Sequence, residues 1–262
     1  MFSASLGLFI LIWILYEVII RGIGAINFAF FTELPTPPGV PGGGLVNAIF
    51  GTFLITIMAT ILGVPIGILA GIFLGEFGQD SKYAEWVRFM ANILMGTPSI
   101  IIGVFVYTLL VVTTGHFSGY AGAVALAIIM LPVVARTTED MLQMVPNAIR
   151  ESALALGATR WRMTLSIVFR SAKTGLITGV LLAIARVSGE TAPLLFTALN
   201  SPFWPTSLAD STANLTVTIF NYAMSPYFDW QKAAWGASFL ITIAVLITNI
   251  FARIIFREKK QL

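Results

Sequence analysis

The sequence contains no cysteine and one histidine, His116. Without cysteine there is no disulfide, no thiolate metal site and no thiol nucleophile. A single histidine excludes a His-rich metal cluster. Charge is also scarce. Lys and Arg number 15 and Asp and Glu 12, together 10% of 262 residues, against ~25% in a soluble domain. So few charges cannot solvate a globular surface, which excludes an ordinary soluble enzyme, a disordered chain and a nucleic-acid binder. Catalytic signatures are missing too. There is no Gly-Lys dipeptide, hence no phosphate loop of the ATPase kind, and neither H-E-x-x-H nor G-x-S-x-G occurs. Apolar residues are abundant, at 57% of the chain. That composition predicts an all-α integral membrane protein solvated by membrane lipid.

A helical span needs about 20 apolar residues. Residues 34–75 and 89–135 carry no Asp, Glu, Lys or Arg, and neither do residues 233–252. Six transmembrane helices are expected, at about 3–22, 46–75, 89–113, 119–136, 173–199 and 232–254. The polar, Gly-containing stretch from Thr113 to Gly119 divides the long apolar run. Eleven Lys and Arg fall in 76–88, 136–172 and 253–262, and Lys173 at their edge makes twelve, against Arg21 and Lys232 on the other side. Such an asymmetry marks the cytoplasmic loops and predicts that both termini are cytoplasmic. The apolar start has no basic n-region and no prompt small-x-small site, so it reads as a span and not as a cleaved signal. On the outer side, the prolines and glycines between Phe31 and Gly44 cannot continue a helix. The aromatics Phe203, Trp204, Tyr222, Tyr227, Phe228 and Trp230 read as interfacial anchors.

Three features invite a functional reading. The second span carries Gly63, Gly67, Gly71 and Gly75, four small residues on one helix face, which predicts close helix packing. Pro65 in the same span suggests a kink. The loop 136–172 predicts a helix–turn–helix outside the membrane. Pro146 opens its first helix, Asn147–Leu156, and Gly157 ends that helix at positive φ. Thr159 then caps a second helix, Arg160–Arg170. Glu151, Ala153 and Gly157 stand at E-x-A-x-x-x-G spacing around the turn, where small residues leave room for another protein. The third feature is Arg186, which lies 13 residues beyond Lys173, about 20 Å along a helix and near mid-membrane. Glu190 follows at i+4 on the same face. The two either neutralise each other and brace the bundle, or place a guanidinium fork toward an oxyanion path. Arg136, at the end of the fourth span, is either an ordinary inside anchor or a second pathway cation.

The segment Glu151-Ser152-Ala153-Leu154-Ala155-Leu156-Gly157, with Ile167 after nine further residues, resembles the EAA motif of binding-protein-dependent ABC importer permeases. Ser152 stands where the family's second Ala is usual, and Val168-Phe169 where many members have Leu-Pro. Several other segments are similar to the phosphate-specific branch of that family. They are Phe31-Thr32-Glu33 with the following prolines and Gly42–Gly44, Arg136-Thr137-Thr138-Glu139, Ala183 through Phe196, and Met224-Ser225-Pro226. The resemblance implies a type I (MetI-like) permease fold. It divides the chain into a first helix with its outer loop (1–44), a permease domain (45–255) and a cytoplasmic tail (256–262). It implies ATPase coupling at Glu151, Ala153 and Gly157, and a substrate path near Arg186, Glu190, Arg136 and Thr191. The expected partners are a second, related permease, an ATPase dimer and an outer phosphate-binding protein. No cofactor or metal is expected on this chain, and ATP is used by the ATPase. Members usually carry a basic segment before the first span, so this sequence is expected to start late. Sulfate, molybdate and phosphonate remain alternative substrates, since a central Arg does not discriminate among oxyanions. A self-contained carrier or channel would leave the hairpin loop without a purpose. A membrane-embedded enzyme would lack any nucleophile–base pair.

Overall fold

The computed structural model describes residues 2–78 and 81–255. Every regular element among the described residues is helical. In chain order they are α1 (Phe2–Ile23), α2 (Phe28–Thr32), α3 (Val46–Phe77), α4 (Lys82–Gly96), α5 (Ser99–Thr114), α6 (Gly119–Gln143), α7 (Asn147–Ala155), α8 (Arg160–Val187), α9 (Ala192–Thr197), α10 (Leu215–Ala223) and α11 (Phe228–Ile255). Five of these are long and apolar enough to cross a membrane: α1, α3, α6, α8 and α11. A sixth crossing exists if α4 and α5 act as one span, and they are bent by 102°. The expected straight span over 89–113 is therefore broken. Pro98 is the cause: it has no N–H to donate and its ring drives the preceding residue out of helical geometry. Thr97 is accordingly extended, at ψ 131.

The fifth span also differs from its expectation of 173–199. It begins at Arg160, passes through a π-helical turn at Thr164–Val168 and stops at Val187. The second arm of the expected hairpin, Arg160–Arg170, is thus the start of this span and not a separate helix. The predicted i,i+4 relation of Arg186 and Glu190 also fails. Ser188 and Gly189 form a turn, and Glu190 lies outside the helix. The fourth span continues to Gln143, beyond its expected end at 136.

The helices form two compact units interleaved along the chain. The first takes residues 1–55, 103–122 and 189–246; the second takes 56–102, 123–188 and the remainder. The core of the first unit joins Phe30, Leu45, Ala48, Ala213, Leu215, Tyr222, Ala234 and Ala237. Its outer loop runs through Gly39, Gly42 and Gly43, all at positive φ, as the Pro/Gly content predicts. Tyr222 corrects the anchoring reading of the aromatics: it is buried and stacks on Trp230 with centroids 4.3 Å apart. Phe203 and Phe228 remain exposed. Helix α1 buries none of its apolar window, as suits a helix solvated by lipid.

In the second unit the glycine stripe of α3 lies on α6. A Cβ at Gly63 would stand 3.2 Å from the Ala127 carbonyl oxygen, and one at Gly67 2.8 Å from Val134 Cβ. Helix α3 is continuous through Pro65 and ends in a π-helical turn, Phe73–Phe77. Glu76 of that turn meets Arg150 of α7. The expected tail 256–262, with Arg257, Lys259 and Lys260, lies outside the described residues.

Candidate functional site: a docking hairpin and a line of cations

Helix α7 ends in a Schellman closure. Gly157 N donates to the Leu154 carbonyl at 2.9 Å, and Ala158 N donates to the Ala153 carbonyl at 3.1 Å. This closure requires a left-handed residue at the turn, and Gly157 has φ +81. Thr159 then caps α8, its Oγ1 accepting from Arg162 N at 3.4 Å. Both local expectations are met. The residues of the E-x-A-x-x-x-G spacing divide into two roles. Ala153 faces inward, in a cluster with Leu142, Val145, Met163 and Val168. Glu151 and Gly157 are exposed.

The outer surface of the hairpin is apolar where a soluble surface would be polar. Leu156 is 89% exposed, and Met144, Ile149, Leu154 and Trp161 are exposed beside it. Glu151, Arg160 and Arg162 are exposed on the same hairpin. Exposed apolar side chains of this size interspersed with charge suit contact with another protein.

The hairpin is held to the rest of its unit by charge pairs that the spacing of residues does not reveal. Arg150 (13% exposed) pairs with Glu76 (3% exposed) at 2.6 Å. Further along α6, Glu139 is 1% exposed and accepts from Arg88 Nε at 2.7 Å, Arg136 Nη1 at 3.2 Å and Gln143 Nε2 at 3.2 Å. Arg88 also donates to the Leu74 carbonyl at 2.9 Å. Two arginines around one buried carboxylate tie α4 and α3 to α6. Arg136 further reaches Asp140 at 3.3 Å, so it is paired and only half exposed. Sequence reasoning missed Arg88, Glu139, Glu76 and Arg150 as a group. Their charges are visible in the sequence, but their partners lie on other elements.

Arg186 occupies the last turn of α8 and is exposed. Its side chain has no ion pair or hydrogen bond among the described residues. Helix α8 packs antiparallel on α6, with Gly175 against Met141 and Gly179 against Thr137. That register places Arg186 about 10 Å beyond the level of Arg136 along the helix axes. The two cations thus stand in succession on neighbouring helices.

In the first unit Glu190 and Thr191 lead into α9. Thr216 Oγ1 donates to the Glu190 carbonyl at 2.9 Å, and Thr191 offers its own carbonyl to Leu194 N and Leu195 N. The backbone of both residues is thereby fixed although neither belongs to a helix. Gly103 of α5 lies against Pro193, where a Cβ would stand 2.6 Å from the Pro193 Cα. Among the described residues no group of His, Cys, Asp and Glu could hold a metal ion.

Helices long and apolar enough to cross a membrane, with an Arg186 side chain that pairs with no described residue at the end of one of them, suit the membrane component of a transporter. Residues 63–258 match the family described as binding-protein-dependent transport system inner membrane component, and the chain belongs to that family. It is 52% identical to the phosphate transport system permease protein PstA of Yersinia pestis, over 97% of this chain and 86% of that one. It is 50% identical to the protein of the same description from Haemophilus influenzae, over 98% of this chain and 91% of that one. Among solved structures, the fold is similar to that of the inward-facing MetNI methionine ABC transporter. The TM-score is 0.62, with 80% of this chain and 92% of that one covered at 21% identity. The all-α type I permease fold expected from the sequence is therefore the fold observed. The chain is a multi-pass permease subunit that works with a binding protein and an ATPase carried on another chain, and it is not itself an enzyme.

Proposed function

We propose that the chain is the permease subunit that passes inorganic phosphate through an ABC importer, forming the pore with a second, related permease. The observation that supports phosphate is the 52% identity, over 97% of this chain, to a protein named as a phosphate permease. An outer phosphate-binding protein delivers the anion, and an ATPase dimer docks on the hairpin around Glu151, Ala153 and Gly157. The excess of Lys and Arg in the loops next to these residues supports a cytoplasmic side for them and for both termini. No cofactor is needed on this chain.

Along the path, Arg186 offers a planar donor fork that matches two phosphate oxygens. Glu190 limits the attraction so that the anion does not lodge. Thr191 is a further candidate through its hydroxyl, and Arg136, held by Glu139 and Asp140, forms a weaker second station toward the exit.

The test is ATP-dependent uptake of labelled phosphate by vesicles that hold this chain with its ATPase, paired permease and binding protein. Uptake that needs ATP and is unaffected by excess sulfate supports the reading. Uptake that sulfate suppresses would point to another oxyanion. Uptake without the ATPase would mean a carrier or channel.

Docking has its own test. At Gly157 a Cβ meets nothing within 4 Å, so the obstacle to substitution is φ and not space. Gly157→Val is expected to strain the turn by about 1–3 kcal/mol and to abolish capture of the ATPase in a pull-down. Gly157→Asn, which tolerates a left-handed backbone, should retain most of it. Equal capture by both variants would separate docking from the geometry of this turn.

A further inference from the structure

The Arg150–Glu76 pair is an unusual way to hold a surface hairpin. A guanidinium carries five N–H donors, and here each one is used. Nε faces both Glu76 oxygens, at 3.2 and 3.3 Å. Nη2 donates to Glu76 Oε1 at 2.6 Å and to the Leu142 carbonyl at 2.7 Å. Nη1 donates to the Val145 carbonyl and to Asn147 Oδ1, the latter at 3.3 Å.

These acceptors belong to three elements. Glu76 sits on the π-helical turn that ends α3, Leu142 lies in the last turn of α6 with Val145 just beyond it, and Asn147 opens α7. The same π-helical turn supplies Phe77, whose ring lies 6.0 Å from that of Trp161 in the first turn of α8. The end of α3 therefore grips both arms of the hairpin.

Burying a charged pair is a poor route to stability, because desolvation offsets the attraction and apolar side chains could fill the same space. The pair does supply something apolar packing lacks, a fixed orientation set by directional bonds. π-helical turns within α-helices also concentrate at functional positions.

We propose that Arg150 and Glu76 are positioning residues for coupling. They form a rigid joint through which a displacement of α7 by the docked ATPase passes to α3. The proposal rests on the reading of the hairpin as the ATPase-docking element. It makes a specific demand: Lys at 150 keeps the charge but not the fork, and Gln at 76 keeps the shape but not the charge. Either should leave the hairpin folded and docked while loosening the joint.

The test uses the assembled transporter in vesicles, with wild type, Arg150→Lys and Glu76→Gln prepared in parallel. Capture of the ATPase is read by pull-down, and phosphate imported per ATP hydrolysed is read on the same preparation. Both variants are expected to capture the ATPase and to hydrolyse ATP. Import per ATP should fall about tenfold or more, the scale of a lost charge-assisted hydrogen bond. A purely structural pair would lower the amount of complex and leave this ratio unmoved. Unchanged import per ATP in either variant overturns the joint. Loss of capture also overturns it, since the pair would then only shape the docking surface. If the wild type captures no ATPase, the docking reading itself fails and the joint falls with it.

Discussion

Arg186→Gln is expected to reach the membrane and join the transporter in normal amount, yet to lower phosphate uptake about 10- to 100-fold. That range corresponds to ~1.5–3 kcal/mol for a hydrogen bond to a charged group. Stability and transport separate at this position. Arg186 is exposed, and no ion pair or hydrogen bond within the chain depends on its side chain among the described residues. Its removal should therefore cost the fold little. A charge facing lipid at depth would cost ~2.5–3.5 kcal/mol even on the lenient scale, so a guanidinium at the end of an apolar span is favoured where water or a protein neighbour meets it. Arg186→Lys should fall between wild type and Gln, because it keeps the charge and loses the bidentate fork. The measurement is initial uptake rate normalised to the complex present. A wild-type rate for Arg186→Gln would remove this residue from the pathway and leave it an ordinary helix-end cation, favoured there by the macrodipole.

The largest effect on stability is expected from Gly71→Leu. A single Cβ at Gly71 would already overlap Thr138 Cβ and stand 2.5 Å from the Ala135 carbonyl oxygen. Backbone cannot yield as the end of a flexible side chain can. Overpacking of a well-filled contact costs ~1–3 kcal/mol, and a Leu at this separation must push α3 off α6 altogether. Purified Gly71→Leu should unfold at clearly lower temperature in detergent, with little complex recovered. Gly75→Ala is the matched control. Its Cβ would stand 3.4 Å from Leu142 Cβ, near ordinary contact, so its unfolding temperature should stay close to wild type. If both variants behaved alike, the closeness of the α3–α6 contact would not be what the glycines serve.

The glycine stripe and the hairpin turn are legible in the sequence because each is a local matter. Four glycines four residues apart define a helix face whatever lies opposite, and the structure shows what it meets. Gly157 and Thr159 act within one turn of their own backbone, and residue type dictates the φ of one and the cap of the other. The breaks at Thr97–Pro98 and at Ser188–Gly189 are harder to read. Each lies inside an apolar run, where hydropathy continues although the helix does not. Pro98 is a visible signal for the first. For the second, the hydrogen bond from Thr216 to the Glu190 carbonyl holds the chain in its non-helical course, and that partner lies 26 residues away.

Composition and short-range periodicity alone determined an all-helical membrane protein, the approximate position of its spans and a hairpin with a glycine turn, and the motifs determined the family resemblance. Hydrophobic burial in lipid and backbone hydrogen bonding within a helix depend on neighbours a few residues apart, so linear order suffices to read them. Only the tertiary structure decided which charges meet. Glu76 and Arg150 are 74 residues apart and Arg88 and Glu139 are 51 apart, and nothing local pairs them. It also decided that Ala153 turns inward, that Tyr222 belongs to a core, and that α7 is bound to the end of α3. Such pairings depend on how helices pack in three dimensions, where one guanidinium can join elements that the chain order keeps far apart.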